Sequence, residues 1–209
     1  MCSAAGRIKT KIKVLGLTGC FGSGKTTSAG MFKRLGAVVI DADQTYHQLI
    51  DSTGGVYKKI ISVFGRDILT TRGEICRKKL GDEVFAEPKL LKKLIRITHP
   101  AIISSIKQRL KRLSRNQKQR LVLVDAPLLI EAGLLNIVDT LIVVKAKQGL
   151  IVKRLKKAQG LSKQMTIKRI RSQAPLSVKV KLADYVIDNS GTLAQTRKQV
   201  RKIWQDLTV

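Results

Sequence analysis

The sequence has few aromatic residues, few cysteines and no long apolar run, and each shortage excludes a class of protein. Aromatic side chains make up 4% of the 209 residues, so the stacking platforms on which proteins bind single-stranded nucleic acid are scarce. The cysteines, Cys2, Cys20 and Cys76, are odd in number and lack C-x-x-C spacing, which favours a reduced, cytoplasmic setting. No apolar run approaches the ~20 residues that span a bilayer, so we expect no membrane-integrated chain.

Acidic residues are also scarce. The chain has 14 Asp and Glu against 41 Lys and Arg, a formal net charge of +27, and no acidic residue lies between Glu87 and Asp125 or between Asp139 and Asp184. Such charge suits nucleic acid, an anionic membrane surface, or small polyanions such as nucleotides and coenzymes. It is equally expected on solvated helix faces, such as the basic amphipathic segment 107–120. Nonspecific nucleic-acid binding is compatible with this charge without being the function.

Apolar runs alternate with helical patterns, and this alternation predicts an α/β protein with one sizeable core. Strands are expected at 14–18, 38–41, 121–125, 140–144 and 185–188. The first helix, 25–35, is expected to end at Gly36. Between Asp43 and Arg120 the pattern shows helices and turns, with helices near 57–64, 74–85 and 88–98 and another after Pro100. We expect this helical insertion to project over the carboxyl edge of the sheet and to bind the second substrate.

Residues 19–26 match the phosphate-binding pattern G-x-x-x-x-G-K-[ST] at the end of the first predicted strand. Glycines let the chain bend so tightly that backbone N–H groups point at an anion. Lys25 is expected to reach the β- and γ-phosphates of a nucleotide, and the Thr26 hydroxyl to bind Mg²⁺. The predicted nucleotide-binding residues are Gly19, Gly22, Ser23, Gly24, Lys25, Thr26 and Thr27.

Carboxylates follow two other predicted strands. Asp41 and Asp43 end the second strand, and one of them can orient or deprotonate an attacking hydroxyl, but either can instead cap the next helix. The sequence leaves open which carboxylate does which. Asp125 follows four apolar residues, the Walker B pattern that holds Mg²⁺ directly or through water. Ala126 stands where ATP-hydrolysing proteins commonly have glutamate, which favours transfer to a substrate over hydrolysis.

From about Lys13 to its end, the chain resembles the dephospho-coenzyme A kinases. The matching segments are the phosphate-binding loop, I-D-A-D at 40–43, F-G at 64–65, H-P at 99–100, P-L-L-x-E at 127–131, R-I-x-x-Q at 169–173 and A-D-Y-V-I-D-N-S-G at 183–191. The loop is common to many kinases. The other segments in this order are specific to the family.

The resemblance implies ATP-dependent phosphorylation of the ribose 3′-hydroxyl of dephospho-coenzyme A, the last step of coenzyme A synthesis, with Mg²⁺. It implies a three-layer, doubly wound, five-stranded parallel sheet of the P-loop kinase type, with a helical coenzyme-binding insertion and a helical lid. The expected divisions are a basic extension, 1–12, and a single kinase domain, 13–209. Within that domain, the core is 13–43, 120–150 and 183–209, the insertion 44–119 and the lid 151–182.

Residue roles carry over from the resemblance segment by segment. Asp43 matches the base that accepts the 3′-hydroxyl proton. Arg154 and Arg169 lie on the two predicted lid helices, 151–158 and 162–173, and either clamp the transferring phosphoryl group or face solvent. His99 either contacts coenzyme phosphate or adenosine, or simply ends a helix.

Asn189 is expected beside the ATP adenine, with a turn-forming role as the alternative, and Leu128 belongs to the predicted substrate-binding set. The chain departs from the family at 158–160, where Ala-Gln-Gly replaces a common Arg-Asp-Gly. One lid cation is therefore missing, and Lys156 or Lys157 are candidates to replace it. Ile95 also stands where the family commonly has glutamate.

The expected partners are ATP and dephospho-coenzyme A, with no obligatory protein partner, no membrane, and a monomeric or weakly oligomeric state. Two alternatives remain at this stage. One is a kinase for another nucleoside or small hydroxyl compound, and the other is a non-catalytic P-loop protein that binds nucleic acid. The complete loop, Asp43 and Asp125 favour chemistry, whereas only the charge favours the binder.

Overall fold

The computed structural model describes residues 12–51, 53–115 and 121–208. Along the chain the elements are β1 (Lys13–Gly19), α1 (Lys25–Arg34), β2 (Val38–Asp41), α2 (Ala42–Asp51), α3 (Gly55–Phe64), α4 (Arg77–Ala86), α5 (Pro88–Ser114), β3 (Leu121–Asp125), β4 (Thr140–Lys145), α6 (Gln148–Gln159), α7 (Lys163–Arg171), α8 (Leu176–Leu182), β5 (Tyr185–Asp188) and α9 (Leu193–Thr208), with a short 3₁₀ helix at Leu134–Ile137. Every predicted strand is confirmed. The expected extension, 1–12, lies outside the described residues except for Ile12.

The described strands form a five-stranded sheet in the order β2-β3-β1-β4-β5, which confirms the doubly wound α/β fold. The registered pairs are parallel, and β1 lies between β3 and β4. Strand β3 is buried throughout, as expected when helices cover both faces of a parallel sheet. Leu17 pairs with Asp125, so the sequence that follows β1 starts at the same sheet edge as Asp125.

By their internal contacts, the residues divide into two compact units. The sheet unit contains the described residues up to Ile40 and from Leu110 onward, and the helical unit is Asp41–Arg109. The core of the sheet unit joins strand side chains to α1 and α9, with Phe32 and Val200 fully buried and Trp204 packed against them. This apolar packing fixes the strand ends that carry the candidate site.

The helical unit has its own core, formed by buried side chains of α2 to α5 and the α3–α4 connection: Ile50, Ile60, Phe64, Ile68, Ile75, Leu80, Val84 and Leu94. The helix predicted over 74–85 begins only at Arg77, because Ile75 forms an isolated antiparallel bridge with Leu69 and Cys76 is extended.

The prediction of separate helices at 88–98 and after Pro100 was wrong. A single helix, α5, runs through Pro100. Proline removes one main-chain hydrogen bond from a helix interior, but the side chains of Leu94 and Ile106, on either side of it, are buried and their packing keeps the helix continuous. The helix ends at Ser114, whereas the amphipathic segment was predicted to reach 120; residues 116–120 lie outside the described part.

Both predicted lid helices are present, as α6 and α7. The Ser162 side chain caps α7 by accepting a hydrogen bond from the Met165 N–H at 3.1 Å. Helix α8, which begins after Pro175, was not predicted. No helix within the described ranges combines the length and the apolar character needed to cross a membrane.

Candidate active site

At Gly19, the last residue of β1, and at Gly24, in the loop before α1, the chain has a shape that only glycine permits. A Cβ on Gly19 would overlap the carbonyl oxygen of Val144, and one on Gly24, where φ is 91°, would overlap the Asn189 side-chain amide. The turn is closed by the Ser23 N–H, which donates to the Cys20 carbonyl at 3.0 Å. The predicted phosphate-binding loop is therefore fixed in shape by its neighbours.

Helix α1 begins directly after this loop. Its first-turn N–H groups have no intrahelical acceptor, and the first turn contains no acidic residue. Thr26 and Thr27 in this turn are exposed. The N–H groups of this turn and the positive end of the helix dipole make the turn suited to an anion such as phosphate.

Lys25 and Asp125, which the sequence predicted for separate tasks, are brought together. The Lys25 ammonium forms an ion pair with a carboxylate oxygen of Asp125, and the two side chains are 14% and 5% exposed. Lys25 comes from the start of α1 and Asp125 from the end of β3, so the parallel pairing of β1 with β3 produces the contact. Each group supplies the countercharge that the other needs in a site largely shielded from water.

Asn189 supports the loop from the end of β5. Its buried side-chain amide donates to the Ser23 carbonyl at 2.8 Å, and its oxygen accepts from the Thr196 hydroxyl at 2.8 Å. Its main-chain carbonyl accepts from the Arg154 guanidinium at 2.9 Å. Asn189 therefore does more than form a turn, and its predicted place beside the adenine stays a prediction.

The segment predicted to form the lid contacts the loop through Phe21. The Phe21 N–H donates to the Gln173 side-chain oxygen at 2.9 Å, and the Arg169 guanidinium carbon lies 5.1 Å from the centre of the Phe21 ring. The sequence did not mark Phe21 as functional, because this loop position accepts any residue in the pattern. Gln173 was visible only as part of the R-I-x-x-Q segment.

A buried ionic network joins the P-L-L-x-E segment, 127–131, to Lys179, which no sequence pattern marked. The Lys179 side chain, 0% exposed, lies 3.1 Å from a carboxylate oxygen of Glu131 and donates to the Pro127 carbonyl at 3.1 Å. The Thr18 hydroxyl donates to the same carbonyl at 3.0 Å. Helix α8 is thus tied to the segment that follows β3, and the Pro127 carbonyl of that segment is bonded to Thr18 near the end of β1.

Glu131 itself is held ionised by this network. Its burial alone would raise the pKa, but the Ala174 N–H, which donates at 2.8 Å, and the Lys179 ammonium outweigh burial and lower the pKa below its ordinary 4.5. The nearby Cys20 thiol is buried, and burial raises its pKa, with Lys179 opposing the shift. Cys20 is therefore held as a thiol.

In the helical unit, the two candidate bases, Asp41 and Asp43, have different surroundings. A carboxylate oxygen of Asp41 accepts from the Gln44 N–H at 3.0 Å, so Asp41 caps α2, a task that the sequence left open for both. Asp43 is exposed in the first turn of α2. His99 lies inside α5, so the alternative that it ends a helix was wrong. Its burial lowers the pKa, which keeps the imidazole neutral at pH 7.

The remaining predicted residues lie at the surface. Leu128 is 39% exposed in the loop after β3. Lys156 and Lys157, the candidates to replace the missing lid cation, are exposed in the last turn of α6.

The described residues contain no group of three or more His, Cys, Asp or Glu side chains arranged for a metal ion. Asp125 and Thr26 offer a carboxylate and a hydroxyl, the hard oxygen donors that Mg²⁺ prefers alongside water and substrate phosphates. The donor set therefore fits Mg²⁺ bound together with a nucleotide.

Comparisons with known proteins extend over nearly the whole chain. A family model described as CoaE, dephospho-CoA kinase, matches residues 13–195. The dephospho-CoA kinase of Aquifex aeolicus is 43% identical over 197 residues, which are 94% of this chain and 98% of that protein. The solved structure of TT1252 from Thermus thermophilus has a TM-score of 0.80 at 28% identity and covers 95% of this chain and 99% of its own. The dephospho-CoA kinase structure from Campylobacter jejuni has a TM-score of 0.65 at 28% identity, with 94% and 98% covered.

Proposed function

The chain belongs to the dephospho-CoA kinase family, and we propose that it transfers the γ-phosphoryl group of ATP to the ribose 3′-hydroxyl of dephospho-CoA, giving CoA and ADP. The observation that carries this proposal is the family match over residues 13–195, which includes a complete phosphate-binding loop. Membership in this family does not favour the alternatives of another acceptor or of a non-catalytic nucleic-acid binder.

The sheet unit supplies the ATP side of the reaction. The loop and the first turn of α1 bind the triphosphate through their N–H groups, and Lys25 neutralises charge on the β- and γ-phosphates. This role requires the Lys25 ammonium to turn from Asp125 to the nucleotide. The fixed loop provides a site whose donors are oriented before ATP arrives, and such preorganisation is the main protein contribution to phosphoryl transfer.

Asp125 and Thr26 are the residues that would hold Mg²⁺. When bound, the ion supplies positive charge against the β- and γ-phosphate oxygens. Asn189 keeps the loop in position by its bond to Ser23. Arg169 and Arg154 carry the additional positive charge of the lid, and we assign to Arg169 the bidentate contact to the transferring phosphoryl group.

Asp43 acts on the acceptor. Its carboxylate takes the proton of the 3′-hydroxyl while that oxygen forms the new bond to the γ-phosphorus, and the bond from the γ-phosphorus to the ADP oxygen breaks. A positioned general base contributes about 10²- to 10⁴-fold in rate. The Asp41 cap supports this assignment, because it fixes the start of the helix on which Asp43 lies. His99 and Leu128 are assigned to coenzyme binding.

The direct test incubates the purified protein with Mg²⁺, ATP and an acceptor. Mass spectrometry then measures the CoA formed. Dephospho-CoA is compared with adenosine, other nucleosides and no acceptor. We expect product only with dephospho-CoA. Transfer to none of these acceptors, with an active control enzyme in parallel, would overturn the assignment.

Asp43 and Asp41 form a matched pair of variants. Asp43→Asn is expected to lower kcat by at least about 100-fold with ATP binding retained. Asp41→Asn is expected to stay near wild type, because asparagine caps helices as well as aspartate. Equal rates in the two variants would remove Asp43 from the mechanism.

A cytoplasmic location stays a prediction, supported by the free thiols of Cys20 and Cys76. The monomeric or weakly oligomeric state and nonspecific nucleic-acid binding also stay predictions.

A further inference from the structure

The loop residue Phe21 joins the phosphate-binding loop to the lid by several separate contacts. Its ring packs against an apolar cluster in which Ala146, Ile151 and Leu155 are buried and Leu161 and Ile170 are partly buried. Its N–H donates to Gln173, and its ring lies 5.1 Å below the Arg169 guanidinium carbon. Ring and backbone are thus held by residues of both predicted lid helices and of the segment after α7.

The neighbouring glycine shows how close this approach is. A Cβ on Gly22 would lie 2.7 Å from Leu155 and 2.8 Å from Ile151, and φ there is 75°. A side chain at this position would displace the side chains of Leu155 and Ile151 on α6. The loop therefore packs directly against α6 at Phe21 and Gly22.

Arg169 is exposed, and a long exposed side chain samples many rotamers. Stacking on an aromatic face restricts these rotamers, because the ring quadrupole attracts the guanidinium. The ring in question belongs to the loop that would bind the phosphates. Gln173 fixes the Phe21 backbone, so the ring cannot turn away with its main chain.

We propose that Phe21 is a positioning residue for phosphoryl transfer: its ring holds the Arg169 guanidinium beside the phosphate-binding loop, and Gln173 anchors the ring. This inference rests on the proposed function, in which Arg169 contacts the transferring group. It assigns a purpose to a loop position that the nucleotide-binding pattern leaves unspecified.

The test compares Phe21→Leu with Phe21→Tyr. Leucine keeps an apolar contact with the cluster but has no ring face, whereas tyrosine keeps the face. A cation–π contact at an exposed site is worth about 0.5–1 kcal/mol, so Phe21→Leu should lower kcat about two- to fivefold. Because Arg169 acts in the transition state, kcat and kcat/KM for ATP should fall by the same factor. Phe21→Tyr should keep the wild-type kcat.

A double-mutant cycle with Arg169→Ala separates positioning from a general loss of packing. If Phe21 acts through Arg169, adding Phe21→Leu to Arg169→Ala should cause no further loss. An equal loss in both backgrounds, or a wild-type rate in Phe21→Leu, would overturn the proposal. Thermal melting of each variant identifies any that is unfolded, and Phe21→Tyr remains informative in that case.

A second measurement keeps this test separate from that of the reaction. The NMR signals of the Arg169 side chain should carry a ring-current shift that is present in wild type and Phe21→Tyr and absent in Phe21→Leu. A wild-type protein that shows this shift but forms no CoA would overturn the proposed function and, with it, the positioning role. CoA formation with no such shift would overturn the positioning role alone.

Discussion

The buried pair of Lys179 and Glu131 leads to an asymmetric prediction for stability. Glu131→Gln removes the countercharge of an ammonium that is 0% exposed, and Lys179→Met removes the ammonium itself. Removing one partner of a buried pair costs about 3–5 kcal/mol when the other charge stays unpaired. We therefore expect Glu131→Gln to lower the unfolding free energy by about 3 kcal/mol.

Lys179→Met should cost much less. Its removal leaves each former partner with another donor: Glu131 keeps the Ala174 N–H, and the Pro127 carbonyl keeps the Thr18 hydroxyl. Glu131 is also 25% exposed, so water can replace part of the lost interaction. We expect a loss of about 0–1.5 kcal/mol. The double variant should resemble Lys179→Met alone, because no unpaired ammonium remains.

Urea unfolding followed by Trp204 fluorescence measures these differences. The chain has one tryptophan, and it packs against the core of the sheet unit, to which both residues of the pair belong. A Glu131→Gln variant no less stable than Lys179→Met would refute the reasoning. The pH dependence of stability is a second check. Because the pKa of Glu131 is lowered in the folded state, the contribution of Glu131 to the unfolding free energy is complete above about pH 4.5 and is lost as the pH falls through the folded pKa. The acid limb of stability should accordingly be shallower in Glu131→Gln.

Two further predictions concern binding. Gly24→Ala should weaken ATP binding at least about tenfold, because a left-handed backbone with a Cβ costs about 1–2 kcal/mol and the Cβ also overlaps Asn189. Equilibrium titration of ATP measures this, with Gly149→Ala as the matched control because its Cβ meets nothing within 4 Å. Equal ATP affinities in the two variants would contradict the argument. The predicted lid segment, 151–182, contains basic residues and no acidic ones, so kcat/KM for both anionic substrates should fall as salt rises above about 0.1 M. A flat salt profile in steady-state assays would exclude electrostatic steering by this segment.

The sequence predicted the strands and the phosphate-binding loop well because both depend on local pattern: continuous apolar runs, and glycines at fixed spacing. Contacts between residues far apart in the sequence were harder to predict. Lys25 and Asp125 were recognised separately, but their pairing depends on the parallel register of β1 and β3, which no single segment encodes. Asp41 and Asp43 are equally good caps by composition, and only the actual start of α2 assigns the cap to Asp41.

Other errors and omissions have a common physical origin in tertiary packing. Pro100 signals a helix end locally, and burial on both sides of it overrides that signal. In the sequence, Lys179 is one more basic residue in a basic chain, because no residue close to it in sequence shows that Glu131 and Pro127 enclose it. Phe21 could not be distinguished from any other loop filler, since its contacts come from lid residues far along the sequence.

The enclosure of Lys179 also has a consequence for chemical reactivity. An amine-reactive reagent labels exposed lysines directly, but it can reach the Lys179 side-chain nitrogen only when α8 moves away from Glu131 and Pro127. The labelling rate of Lys179 under native conditions therefore measures the opening of this helix, independent of substrates and turnover. Mass spectrometry of the labelled peptide would give the lifetime of the closed state of this helix, which lies within the predicted lid segment 151–182.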